Sequence, residues 1–377
     1  MENVKKIVVI GVGNAGKNVI NYMQSLYSNN SLSDIYKNGI VLYIIDTDKN
    51  SISESKIQNN IFLSSQNNKD LDSGTAANRE LAINIAEENK EKIRSIVCDF
   101  DIIFVISGIG GGTGGAVANV ITDICKEENK ISILEVFRPF EFENNQKKEN
   151  FIFFLKKIHQ NANAISVVSN EKLVSLNNND SVTQVFEKSF KIAFSHIKTI
   201  LDLLLFKQGI ISISFLDIKN FLGNSNFIII SNAFGYDQTK LSDAIDDAIF
   251  SDLLNLNMGD AKKIICLITC HNDIFFNNIR NCLEMIYDRI GKIDSKLVVL
   301  NDKNLKSGEI NVSVIGNYFD ESATNVYFND EKDPIKIKNI INSIDNIIEK
   351  NKNEDISEND ILPFFIKNPS NKYGSKK

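Results

Sequence analysis

The sequence predicts an α/β fold in three parts: a Rossmann-like, parallel-sheet first domain, a long central helix, and a second α/β domain. Three observations carry this. Short strands apolar on both faces alternate with amphipathic segments through the first half, as in a parallel sheet covered by helices. A long, greasy helical stretch follows from Val182 to Leu205, and the strand-helix alternation then resumes beyond Gly209. The expected boundaries are 1–181 for the first domain, 182–208 for the helix, 209–319 for the second domain and 320–377 for a polar linker and terminal peptide.

Lys6–Gly11 is a β-branched run closed by glycine, and Asn18–Tyr27 has helical spacing of apolar residues. Ile40–Ile45 is a second strand, closed by Asp46-Thr47-Asp48. Leu81–Val97 reads as a helix, Asp101–Ile106 as a strand entering a glycine cluster, Ala116–Cys125 as a helix and Ile131–Phe137 as a strand. Phe151–Asn161 is helical and Ala164–Val168 extended. Val182–Leu205 is apolar around so much of its circumference that it reads as a buried spine. After it, Ile210–Phe215, Phe227–Ser231, Lys263–Thr269, Lys296–Leu300 and Glu309–Ile315 are expected strands, with helices at Thr239–Phe250 and Phe275–Ile290. Beyond Phe319 the chain turns rich in Asn, Asp, Lys and Glu, with one further helix at Ile335–Lys350.

The chain has 377 residues, 43% hydrophobic and 24% charged, a length that favours two packed domains. A net charge of −6 argues against general affinity for nucleic acid or an anionic membrane, both of which need clustered cations. The five cysteines form no Cys-x-x-Cys pair and the three histidines have no metal-ligand spacing, so no zinc site is expected. No apolar stretch reaches the roughly 18 residues of a spanning helix and no signal peptide is read, so a cytoplasmic protein without membrane insertion is expected.

Two glycine-bearing turns follow parallel strands. Gly11-Val12-Gly13-Asn14-Ala15-Gly16 matches the dinucleotide fingerprint, with Asp46 placed to hold a ribose, which leaves a Rossmann oxidoreductase as one reading. Ser107 to Gly115 holds six glycines in nine residues, which points to a backbone whose N–H groups approach an anion closely. The helix that follows adds positive dipole potential and Thr113 a hydroxyl. A Walker loop is excluded, because no Gly-Lys-Ser/Thr closes either turn.

Gly110-Gly111-Gly112-Thr113-Gly114 resembles the GGGTGTG/S signature of the FtsZ/tubulin family of polymer-forming GTPases, and other segments resemble it in the same order. Gly11-Val12-Gly13 to Asn18 is similar to the first phosphate loop, Thr47-Asp48 to the NTD motif, and Gly74 with Ala77-Asn78 to a remnant of the GAGANP loop. Arg138–Glu143 resembles KPFxFE, Ser169–Leu173 resembles PND(R/K)L, Ala248–Leu254 resembles AISSPLL and Gly259–Thr269 resembles GAxGVLVNIT. The resemblance spans Lys6 to Phe319. It implies a tubulin/FtsZ fold binding GTP or GDP with Mg²⁺, and a head-to-tail homopolymer that builds the division ring at the midcell division site. It implies nucleotide contacts from Asn14, Ala15, Gly16, Lys17 and Asn18, from Gly110, Gly111, Gly112, Thr113 and Gly114, from Glu143 at the ribose, from Lys147 where the family has Arg, and from Phe186 against the base.

The chain departs from the pattern twice. In the family an acidic NxDxxD loop completes the next subunit's GTP site; here Ser212 and Ser214 replace Asn and the first Asp, leaving Asp217 as the candidate catalytic, water-orienting group and predicting weakened hydrolysis. Asp217 has the alternative role of capping a helix over Ile218–Leu222. Phe190-Lys191 stands where the family has an Asn-acid pair facing guanine, so selectivity for GTP over ATP is expected to weaken. Asp360–Lys367 resembles the short peptide through which division proteins and membrane tethers are bound. A degenerate relative that assembles without hydrolysing nucleotide is the second reading.

Overall fold

The protein is described by a computed structural model, which covers residues 5–28, 39–55, 57–65, 73–176, 180–205, 209–223, 226–235, 238–251, 253–271, 276–291, 293–302, 305–319 and 321–328. The expected helix at 335–350 and the segment Asp360–Lys367 lie outside these residues. The strands are β1 (Ile7–Val12), β2 (Ile40–Asp46), β3 (Asn60–Phe62), β4 (Ile102–Gly108), β5 (Ile131–Arg138), β6 (Ala164–Ser169), β7 (Asn226–Gly235), β8 (Lys263–Cys270), β9 (Asp294–Asn301) and β10 (Ile310–Tyr318). The helices are α1 (Gly13–Ser28), α2 (Lys49–Ser53), α3 (Arg79–Glu88), α4 (Lys90–Val97), α5 (Gly112–Glu127), α6 (Asn145–His159), α7 (Asn170–Leu176), α8 (Val182–Leu205), α9 (Phe215–Leu222), α10 (Gln238–Phe250), α11 (Phe276–Ile290) and α12 (Glu321–Phe328).

The ten strands form one sheet in the order β3-β2-β1-β4-β5-β6-β7-β10-β8-β9. It is parallel from β3 through β7, whereas β10 runs antiparallel to both β7 and β8. Every residue of β1 and β6 is buried, as both-face apolar runs require. The two halves of the sheet meet at a narrow seam, where β6 and β7 share only the pairs Ala164↔Asn226 and Ile165↔Phe227.

The seam is crossed by α8, the expected spine. Twelve of its residues are buried, and its polar groups tie it to both halves. Thr199 Oγ1 donates to Asn232 Oδ1 on β7 at 2.9 Å, and His196 Nδ1 lies 2.9 Å from Glu135 Oε1 on β5. Lys198 pairs with Asp202 at 2.8 Å; burial pushes the ammonium down to about 8 and the carboxyl well up.

Three expectations about local structure are corrected. Leu81–Val97 is two helices, parted at Asn89, whose Nδ2 donates to Ile85 O (2.8 Å) and Ser64 O (2.9 Å) and so competes with the helical ladder. Ile210–Phe215 is not a strand: Ile211 makes one isolated bridge to Val299, and the chain then enters a helix. That helix starts at Phe215 rather than Ile218. Its cap is Ser214, whose Oγ accepts from Asp217 N at 3.1 Å, so Asp217 sits in the first turn instead of at the cap.

Helix α1 docks closely against the sheet, and α5 against α6, because glycines line the contacts. A methyl group on Gly16 would overlap Ile106 O, and one on Gly115 would overlap the Phe154 ring. Gly115→Ala is expected to lower stability by about 1–3 kcal/mol through overpacking of a buried aromatic ring. Urea unfolding with an unchanged m-value checks this; a midpoint equal to wild type would mean that Phe154 moves aside at no cost.

Candidate functional site

At the carboxyl edge of the parallel strands, where an open α/β sheet places ligands, lies a cleft of about 650 Å³. Its wall is built from the turn after β1, the turn after β2, the 73–77 loop, the glycine turn after β4, the segment after β5, and Phe186 of α8. Two helix N-termini converge on it. Helix α5 starts at Gly112 with Gly111 as a cap that offers no side chain, so the first N–H groups of a 16-residue helix are left for another acceptor. Helix α1 starts at Gly13, whose φ of 65° turns the chain out of β1 and sets it against Gly114.

The glycine turn has a packing reason beside the close approach of an anion that its sequence suggests. A Cβ on Gly110 would overlap Pro139, on Gly112 Thr75, on Gly114 Gly108 O, and on Gly115 Phe154. These four are small because the protein packs on itself. Gly111 differs: nothing lies within 4 Å of where its Cβ would stand, and it lines the cleft. Its missing side chain keeps the cleft floor open.

Around this floor the loops are tied by polar contacts. Thr113 Oγ1 lies 2.6 Å from Thr47 Oγ1 and 3.3 Å from Thr75 Oγ1, joining three loops through buried hydroxyls. Asn150 of α6, buried to 2%, donates to Ala77 O at 2.9 Å and to Gly110 O at 3.3 Å. Ala76 and Ala77 have φ of 48° and 60°, an uncommon conformation for alanine that costs about 1–2 kcal/mol per residue. Gln146 Nε2 reinforces the clamp on Ala77 O at 3.1 Å.

The cleft brings together Asn14, Ala15, Lys17, Gly110, Gly111, Gly112, Thr113, Gly114, Glu143, Lys147 and Phe186. It leaves out three residues. Gly16 is buried against Gly11 and Ile106, where its role is close packing of α1. Asn18, half-buried on the next turn of α1, does not line the cleft. Asp217 lies at the opposite edge of the sheet. Phe215, two residues before it, sits 5.0 Å beneath Lys5 Nζ, just ahead of β1, and Gly223, at the end of its helix, is held by Asn163, just ahead of β6.

The carboxylates that line the cleft are all engaged. Asp46 is buried and accepts from Thr47 N (2.8 Å) and Ser51 Oγ (2.8 Å), while burial pushes its carboxyl up. It is spent within its own turn, which removes the ribose role that a dinucleotide enzyme would give it. Asp48 caps α2. Glu143 accepts from Phe140 N at 2.9 Å and pairs with Lys147 at 2.5 Å, and Glu54 faces Lys17 at 3.9 Å. Asp217 is engaged as well: Lys296 donates to its Oδ1 at 2.7 Å and Ser214 to its Oδ2 at 2.6 Å, and the lysine hydrogen bond holds its carboxyl below the usual range.

At the far wall Phe186 packs edge-on to Phe140 (5.5 Å) and stacks with Phe190 (6.2 Å), which in turn meets Phe137 edge-on (6.4 Å). Asn170, missed in the sequence as a site residue, is 6% exposed and lines the cleft, and its Oδ1 finds no donor among the described residues. A buried acceptor left unpaired costs about 1–3 kcal/mol, and its place in the cleft wall lets a donor from the cleft meet it.

Residues 6–178 match the Tubulin/FtsZ family, GTPase domain. The chain is 29% identical over 318 residues to the cell division protein FtsZ of Helicobacter pylori (strain J99), covering 82% of this chain and 78% of that protein. It is 28% identical over 290 residues to the cell division protein FtsZ of Aquifex aeolicus, covering 76% and 75%. The fold is that of the empty FtsZ dimer of M. jannaschii (TM-score 0.71, 22% identity, 83% of this chain and 88% of that one). It is also that of CetZ2 from Haloferax volcanii in a GTPgS-bound protofilament (TM-score 0.67, 17% identity, 85% and 96%).

Gly111→Ala is expected to fold with stability within about 0.5 kcal/mol of wild type, since its methyl group meets no protein atom. With nucleotide phosphates expected on the α5 amides, its affinity for a nucleotide should nevertheless drop at least about ten-fold, because the methyl would stand over those amides on the cleft floor. Paired calorimetric melts and nucleotide titrations test this; unchanged affinity would place the phosphates elsewhere.

Proposed function

The chain carries a Tubulin/FtsZ-family GTPase domain over residues 6–178 and is a divergent FtsZ-like protein, and from that premise we propose that it binds GTP in this cleft and stacks head to tail into filaments that build the division ring at midcell. In this reading Asp217 of one copy completes the cleft of the next, and hydrolysis is weak. The observation that carries it is the distribution of carboxylates. Of the acids lining the cleft, Asp46, Asp48 and Glu143 hydrogen-bond within their own segments and Glu54 faces Lys17 from the mouth, so in this reading the group that orients the attacking water comes from another molecule.

The opposite end of the fold offers one. From Phe186 at the cleft to Leu205, α8 runs about 28 Å, and Asp217 follows beyond it. It reaches no site in its own chain at the cleft edge. Exposed apolar side chains stand at both ends, with Phe142 (78% exposed) and Phe186 (39%) near the cleft and Ile210 (59%) and Leu216 (63%) near Asp217. Different patches at opposite ends make a heterologous contact, which repeats into a filament. Among relatives, one fold neighbour is described as a dimer and another as a protofilament.

The residues fit a guanine nucleotide's phosphates: uncapped amides, an open glycine floor and a lysine beside it. A bound nucleotide would bring Mg²⁺ on its phosphates, as that ion is often held. No group of three or more metal-ligating side chains gathers among the described residues. The terminal segment Asp360–Lys367 is proposed as the site for division proteins and membrane tethers.

Weak hydrolysis follows from the engagement of Asp217 by Lys296 and Ser214, which favours the second reading, assembly without turnover. GTP turnover beside light scattering decides. Asp217→Ala should lose turnover while binding GTP as wild type does; equal turnover in both proteins removes Asp217 from the reaction, and wild-type filaments that form with GTP but release no phosphate establish the second reading.

Phe137 and Phe186 line the cleft, backed by Phe140 and Phe190, and would stack any purine; no carboxylate takes the place of Phe190. GTP and ATP affinities are expected to differ by less than about 100-fold, the loss corresponding to one unmade hydrogen bond of ~1–3 kcal/mol. Competition titration measures it, and a preference above 10⁴-fold would require a base-reading acid elsewhere in the wall.

A further inference from the structure

Among the described residues, Lys17 is the cleft lysine for which no hydrogen-bond acceptor is in reach. Its side chain is 9% exposed, and it lines the cleft together with Asn14 and the Gly110–Gly114 floor. Among the described residues its ion-pair partner is Glu54, at 3.9 Å, beyond hydrogen-bond length. Glu54 is 75% exposed at the mouth of the cleft, so the pair joins a sequestered ammonium to a solvated carboxylate. The other lysine in the wall, Lys147, is already held at 2.5 Å by Glu143. An ammonium carries three donors and a flexible stem, and burial without hydrogen bonds is costly unless a ligand supplies the acceptors.

Resting on the nucleotide reading above, we propose that Lys17 is a built-in countercharge for the phosphate chain: it leaves Glu54 and donates to phosphate oxygens, so that the nucleotide stays bound without a divalent metal. The α5 amides supply neutral donors and a partial positive charge, whereas Lys17 supplies a full unit charge inside a site shielded from water, where charge-assisted hydrogen bonds are strongest. Glu54 competes for the same ammonium when the cleft holds no phosphate, and its exposure makes it a weak competitor.

The test is the affinity of the full-length protein for GDP and for guanosine, each in EDTA and in Mg²⁺, for wild type, Lys17→Met, Lys17→Arg and Glu54→Ala. Lys17→Met should weaken GDP about 10- to 100-fold in EDTA and leave guanosine unchanged, because guanosine has no phosphate. Lys17→Arg should keep GDP affinity within about ten-fold, an arginine fork being able to meet the same oxygens. Glu54→Ala removes an exposed side chain, folds irrespective of how the buried lysine is tolerated, and should tighten GDP by up to about five-fold in EDTA. Equal GDP affinity in Lys17→Met and wild type overturns the proposal, as does a parallel loss of GDP and guanosine, which would mark a structural role. GDP affinity in Glu54→Ala at or below wild type also overturns it. Wild type binding neither GDP nor GTP in either buffer would overturn the nucleotide reading, a result distinct from all of these.

Discussion

The close entry of two helices into one edge of a parallel sheet is the constraint on which the cleft depends. Helix α1 sits so near β1 and β4 that Gly11 and Gly16 face each other, and a Cβ on Gly11 would lie 2.5 Å from Gly16 O. Helix α5 leaves β4 so tightly that Gly114 rests on Gly108 and Ser107. Such contact is closed to any residue with a side chain. It aligns the positive ends of both helices on one small volume, and an anion there meets two sets of free amides. Positions that look devoted to a ligand are, in most cases, devoted to this docking. The ligand benefits from what the docking leaves exposed.

Docking alone does not fix where loop peptides point, and α6 supplies that. Asn150 holds Ala77 O and Gly110 O, and Gln146 holds Ala77 O again. Drawing these carbonyls away from the cleft keeps acceptors out of a site meant for anions. Ala76 and Ala77 accept a left-handed backbone to satisfy the clamp, the kind of local strain that persists only where its surroundings over-determine it. The hydroxyls of Thr47, Thr75 and Thr113 complete the same framework from the opposite side.

Much of this architecture was legible in the sequence because parallel strands and a buried spine leave long apolar signatures. The runs at Ile7–Val12 and Ile102–Gly108 allow few alternatives, and Val182–Leu205 announced itself by length. Short elements left no such mark: β3 has three residues and α2 five. At 210–215 alternating Ile and Ser imitated a strand, yet the Ser214 cap with Asp217 three residues on outweighed it. Eleven of the thirteen expected nucleotide contacts line one cleft. Gly16 does not, because its pattern encodes helix docking. Asn150 was invisible, since what distinguishes it is burial and the carbonyls it faces, neither of which has a sequence period; Asn170 stood in the segment likened to PND(R/K)L, but its burial at the cleft has no mark in the sequence.

In the proposed reading, the altered residues separate two tasks that a nucleotide-driven filament has to combine. Holding the nucleotide needs donors and positive potential, and those are retained or reinforced: the open Gly111 floor, the uncapped α5 and the sequestered Lys17. Cleaving it needs an acceptor that orients water, and Asp217, the acid proposed for that task, is paired, with Lys296 and Ser214 occupying both its oxygens. Where Lys296 stays on Asp217, the end face that meets a neighbour's phosphates carries a balanced ion pair in place of a bare carboxylate, which lowers the repulsion between that face and the phosphates. The same ion pair that weakens the chemistry therefore strengthens the stacked contact, and both push a filament of this chain toward persistence.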